Sequence, residues 1–94
     1  HVLPIVFHRD LNDRLPEWEE IAAVSMAVQN LWLASTQYNI GGYWSTPGWR
    51  EGMDGALELE ENETCMGFFY LGHYDLELPE GQRSHWKTKV RYMK

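Results

Sequence analysis

The stretch Ile21–Gly48, IAAVSMAVQNLWLASTQYNIGGYWSTPG, decides how the rest of the chain must fold. From Ile21 to Ala34 only Ser25, Gln29 and Asn30 are polar. A helix on a protein surface shows one apolar stripe, and this run is apolar nearly all round. A membrane span needs about 20 apolar residues, and this run is too short and too interrupted for one. What remains is a helix buried on most of its sides. It stops at the pair Gly41-Gly42 and runs into Tyr43-Trp44-Ser45-Thr46-Pro47-Gly48, a glycine- and aromatic-rich turn of the kind a ligand can approach.

Working outward, the N-terminal side of this helix carries its start signals. Pro16 suits the first helical position, where a missing N–H costs nothing. Glu17, Glu19 and Glu20 then fall in the first turn, at the positive end of the helix macrodipole. The helix is expected to reach Gln37 or Tyr38, with Asn39, Gly41 and Gly42 as stop residues. Before it, Val2–Phe7 reads as a buried strand in which Pro4 is tolerable near the start or on an edge. After it, Tyr43 and Trp44 read as a very short strand, and Trp49–Leu59 has helical spacing weakened by Gly52 and Gly55. Thr64–Leu71, TCMGFFYL, is the clearest strand, and Gly67 inside it marks a bulge or a close backbone approach. Val90-Arg91-Tyr92 reads as a final edge strand or an arm. The order is strand, long helix, short strand, short helix, strand, tail, which predicts an α+β sandwich of sheet and helices.

A chain of 94 residues is at most one domain. It offers a helix apolar on most sides few elements to pack against. The expectation is an obligate oligomer or a portion of a larger domain. The opening at His1, directly into a strand-like run, favours a domain that continues upstream.

The formal net charge of −6 argues against a nucleic-acid or anionic-membrane surface. Five basic residues, Arg83, Lys87, Lys89, Arg91 and Lys94, nevertheless fall in the last twelve positions, either as a solvated tail or as a phosphate-binding arm. Cys65 is alone, so neither a disulfide framework nor a cysteine zinc site is available, and a reducing cytoplasm fits. Asn62-Glu63-Thr64 matches a glycosylation sequon without other signs of secretion. His1, His8, His73 and His85 lack the spacing of a metal site. No serine sits in a G-x-S-x-G elbow, and Cys65 lies in an apolar strand as an inert core residue. No phosphate-loop or dinucleotide-binding glycine pattern occurs. Of the five tryptophans, Trp18 and Trp32 read as core or interface residues at helical spacing. Trp44 differs, because the glycines before it let a flat ligand approach the backbone.

Taken in order, Trp18-Glu19-Glu20, AVQNLWLA at Ala27–Ala34, IGGYW at Ile40–Trp44 and MGFFYLG at Met66–Gly72 resemble the C-terminal half of the nitroreductase family, closest to its short, minimal branch. The resemblance implies that residues 1–94 are the C-terminal portion of one nitroreductase-like α+β domain. It implies a cytoplasmic FMN flavoprotein that works as a homodimer, with the long helix packed at the dimer interface. The activity implied is an NAD(P)H oxidoreductase, passing a hydride through flavin N5 to a nitroaromatic, quinone or similar small-molecule acceptor. Neither nucleic acid nor membrane is an implied partner. Carried onto this sequence, the flavin-facing segment is Trp44, Ser45, Thr46, Pro47 and Gly48. Pro47 has no N–H, so a backbone donor near N5 falls to Ser45, Thr46 or Gly48. The family's C-terminal arm brings a basic residue to the FMN phosphate, and Arg83 is the best positional match, with Lys87 second. The proline usual after that arginine is missing, as are the N-terminal Arg-Arg-Ser motif and the helical region over the flavin. The 94 residues alone are therefore expected not to hold FMN tightly. A reading from a different class is a non-catalytic α+β module that dimerises through the apolar helix and binds through its tryptophans.

Overall fold

The computed structural model describes residues His1–Lys94. Strand β1 spans Val2–His8, helix α1 Glu17–Thr36, strand β2 Ile40–Ser45 and strand β3 Glu63–His73. Between β2 and β3 a 3₁₀ turn, Gly48–Gly52, runs into a single α-turn, α2, at Met53–Ala56. A second 3₁₀ turn occupies Trp86–Lys89 in the tail. The element order follows the sequence reading, apart from the end: Val90-Arg91-Tyr92 forms no strand. No helix is long and apolar enough to cross a membrane.

The sheet is antiparallel with β3 in the centre, in the order β1-β3-β2. β3 earns that place by composition, since Cys65, Gly67, Phe68 and Phe69 are all buried and Phe69 is fully so. Residues opposite one another across an antiparallel pair share a face. Leu3, Phe69 and Trp44 are in register and lie on the face covered by α1. Trp32 of α1 meets the Phe69 ring edge-on at 5.2 Å. Tyr43 and Tyr70 lie on the opposite face, stacked 5.0 Å apart.

Two glycine readings change. Gly41 and Gly42 do not stop the helix. Asn39, in the left-handed region at φ 54°, follows its last turn, and the glycines already belong to β2. They are there because a Cβ at Gly42 would lie 2.8 Å from Phe69 Cε1, and one at Gly41 2.9 Å from Tyr74 Cδ1. Pro16 sits one residue earlier than expected, at the N-cap with ψ 141°.

The helix is the larger difference. Ile21, Val24, Val28, Leu31 and Ser35 turn toward the sheet at helical spacing, but only Val28 and Ser35 are buried. Trp18 and Met26 are 68% and 63% exposed, and Leu33 also faces out. β1 likewise buries only Phe7. Within one chain, α1 is covered along one stripe and bare along the others.

A polar network ties the N-terminal end of α1 to the sheet. Arg9 reaches Glu20, Asp13 and the carbonyl of Leu15, at 3.0 Å for the last. Its backbone N–H donates to the Asn62 carbonyl at 2.9 Å, and Asn62 Nδ2 donates to the Arg9 carbonyl at 2.9 Å. Arg14 donates to Asp10 at 2.8 Å, which holds the Asp10 carboxyl below its usual range. Glu63, whose carboxylate accepts the Glu60 N–H and meets His8, is lowered in the same sense.

Candidate functional site

β2 carries the chain from the C-terminal end of α1 to the far end of the sheet, about 17 Å for a strand of this length. There it enters the turn Trp44–Gly48, and three features fix how the turn sits. The Trp44 indole Nε1–H donates to the Met66 carbonyl at 2.9 Å, pinning the turn to β3 on the helix-facing side. Trp49 packs on Phe68 from the opposite side, with centroids 5.2 Å apart. Between the two, β3 bulges. Pro4 pairs with Phe68 and Val6 with Cys65, so β3 spends one residue more than β1 across Met66–Gly67.

Gly67 makes this arrangement possible. Its φ of +112° disfavours any side chain, and a Cβ there would lie 2.3 Å from the Ser45 carbonyl oxygen and 2.9 Å from Trp44 Nε1. The bulge and the close approach read from Gly67 are thus both present, and both serve the turn.

What the turn offers is open backbone. Thr46 and Gly48 are exposed, Ser45 and Pro47 half-buried. Pro47 accepts the Arg50 N–H at 3.0 Å and starts the 3₁₀ turn. Nothing lies within 4 Å of where a Cβ on Gly48 would be. The edge of a flat group can therefore come against this backbone. Arg50 follows two residues later, half-buried and without a carboxylate partner. Sequence reasoning passed over it, although it is the only Lys or Arg between Arg14 and Arg83. The Met66 carbonyl was missed as well, and no sequence pattern announces it.

The two predicted arm residues lie elsewhere. Arg83 and Lys87 are exposed in the tail, and the Trp86–Lys89 turn packs on none of the other elements. Lys87 Nζ instead lies 5.7 Å over the ring of its neighbour Trp86. The structure brings Trp44, Ser45, Thr46, Pro47 and Gly48 together and leaves Arg83 and Lys87 apart from them. A separate apolar cleft, lined by Leu31, Ser35, Tyr38, Ile40 and His73 among others, lies at the other end of β2 and includes none of these residues.

The model of the nitroreductase family matches residues 3–73 of the sequence, most of its length. The chain belongs to the nitroreductase family. The matched residues include the whole Trp44–Gly48 turn and Gly67, and exclude Arg83 and Lys87. Two solved structures share the nitroreductase fold. A nitroreductase-like family protein from Bacillus cereus superposes with a TM-score of 0.82 at 17% identity, covering 98% of this chain and 50% of its own. A nitroreductase family protein from Streptococcus pneumoniae gives 0.69 at 19% identity, covering 85% of this chain and 42% of its own. This nitroreductase chain thus spans half or less of the length of the solved relatives. No curated protein matches it.

Proposed function

We propose that the protein to which this chain belongs is an FMN-dependent NAD(P)H oxidoreductase, cytoplasmic and homodimeric, acting on a nitroaromatic, quinone or similar small acceptor. The observation that carries this reading is the position of the Trp44–Gly48 turn. It lies within the family match, at the end of the sheet, anchored on both faces with open backbone between the anchors.

The residues present fit the ring of the cofactor and not yet its phosphate. Ser45, Thr46 and Gly48 can present backbone N–H groups to the ring edge, where they favour the negative charge that accompanies reduction. Gly48 leaves room for the ring to approach. Bound FMN supplies the hydride and electron transfer itself, while the protein positions it and tunes its surroundings. Arg83, or Lys87 in second place, is the arm residue assigned to the phosphate, and it has to be delivered by closure of the tail or from a second subunit. α1 supplies the apolar surface for that subunit.

The visible absorption spectrum of the purified full-length protein tests the proposal. Expected are the two bands of oxidised flavin, bleached anaerobically by NADH or NADPH. A colourless protein that takes up no added FMN would overturn it in favour of a binding module that dimerises through α1.

A further inference from the structure

We infer that Trp44 and Gly67 are positioning residues for the flavin-facing turn: the Trp44 indole, bonded to the Met66 carbonyl over the side-chain-free Gly67, sets where the Ser45, Thr46 and Gly48 amides point. The inference rests on the reading of that turn as the flavin edge, and it reverses the role that the sequence suggests for Trp44. An indole N–H already committed to β3 at 2.9 Å is a strut, with its ring in register with Phe69 on the helix-facing side.

The geometry is specific to this corner. β2 stops pairing at Ser45, opposite Phe68, and the chain must leave the sheet there. A strand end is free to fray unless a side chain holds it. The extra residue of the β3 bulge lies at Met66–Gly67, beside that exit. It brings the Met66 carbonyl to the indole, while Gly67 at φ +112° leaves space for both the Ser45 carbonyl and the indole nitrogen. Bulges of this kind re-aim the chain next to sites. Donors that stabilise developing charge act only when held in place beforehand, so a strut that fixes them acts on the cofactor at second hand.

Trp44→Phe removes the N–H and keeps an aromatic ring. Gly67→Ala fills the space under the turn. Tyr43→Phe, on the opposite face of β2, is the control. All three are made in the full-length protein, with FMN as the probe. Amide hydrogen exchange by NMR, FMN affinity by fluorescence titration, and the FMN midpoint potential are measured together with urea unfolding. For Trp44→Phe we expect the bonded amide that ends the β2–β3 ladder, at Trp44–Ser45, to exchange at least tenfold faster, with the β1–β3 ladder amides unchanged. We also expect the reduced cofactor to lose about tenfold more affinity than the oxidised, a drop of about 30 mV for a two-electron couple. Gly67→Ala is expected to change the same quantities in the same direction, and Tyr43→Phe none of them. Lower unfolding stability with unaltered turn exchange and unaltered potential would make Trp44 merely structural and overturn the inference. Should Gly67→Ala not fold, Trp44→Phe decides alone. If the wild-type protein takes up no FMN, the proposed function fails, and the turn exchange still decides whether the strut exists.

Discussion

Gly48 and Gly67 call for opposite expectations on gaining a methyl group. At Gly67 an alanine meets both a positive φ and a carbonyl oxygen 2.3 Å away. Those effects each cost on the order of 1–3 kcal/mol. Gly67→Ala should therefore lower the unfolding free energy by about 3 kcal/mol in urea titration. At Gly48 the added methyl enters open space, and the backbone is not in the left-handed region. Gly48→Ala should leave stability within about 0.5 kcal/mol of wild type, as surface changes do. On the function proposed for the turn, the same methyl occupies the side from which a flavin edge would approach. FMN affinity of the full-length protein is expected to fall about tenfold, equivalent to about 1.4 kcal/mol. Unchanged affinity in a fluorescence titration would place the ring elsewhere.

The polar network at the start of α1 sets a pH dependence at the same scale. Asp10 is held low by its bond from Arg14, and Glu63 by the Glu60 N–H and then His8. A carboxyl whose folded pKa is depressed stabilises the fold above its ordinary value near 4, and that contribution fades as pH falls through the lower, folded value. Thermal midpoints should fall as the pH drops below about 4. Asp10→Asn should flatten part of that slope while Arg14 remains in place. An unaltered slope would show that the pair is equally formed in the unfolded chain.

At the scale of elements, α1 is the helix that its sequence describes but not in the surroundings that its sequence describes. Periodicity and capping predict Glu17–Thr36 closely, because start signals and apolar spacing are local. Burial on most sides is not local: it depends on what else is present, and in one chain only the Val28 stripe is covered. β2 was harder to read for a related reason. Two glycines look like a stop until Phe69 and Tyr74 are seen against them, which no window of sequence contains. The turn Trp44–Gly48 was legible through its composition, whereas the Met66 carbonyl that holds it was not, since every residue has one. The bare side of α1 yields a prediction. Leu33 is 57% exposed and does not support the sheet, so Leu33→Lys should leave the fold intact. Placed in an apolar interface, an unpaired lysine costs about 3 kcal/mol or more. The homodimer proposed for the full-length protein should then dissociate at least 100-fold more readily in sedimentation equilibrium. A dimer of unchanged strength would remove α1 from the interface.

The whole molecule is stretched by its tail. Its radius of gyration is 16.9 Å, against about 12–13 Å for a compact domain of this length. The excess comes from residues beyond β3, which are exposed throughout and carry five of the eight basic side chains. Past Tyr74, which lies against Gly41, such a segment gains little from the sheet, and its order has to come from what it meets. If the basic residues meet a phosphate, ordering and binding are one event, and each reports the other. Trypsin makes this visible because four of its sites, at Arg83, Lys87, Lys89 and Arg91, lie in the segment concerned. In the isolated chain these bonds should be cut first, before Arg9 or Arg14, whose side chains are held by Glu20 and Asp10. In the full-length protein, saturating FMN should slow cleavage at Arg83 and Lys87 at least tenfold. Riboflavin, which lacks the phosphate, should protect far less. Arg83→Ala should abolish the difference between the two ligands if Arg83 holds the phosphate, and the same loss in Lys87→Ala alone would reassign that role to Lys87. Equal protection by FMN and riboflavin would mean that the tail closes over the ring side of the site without reading the phosphate at all.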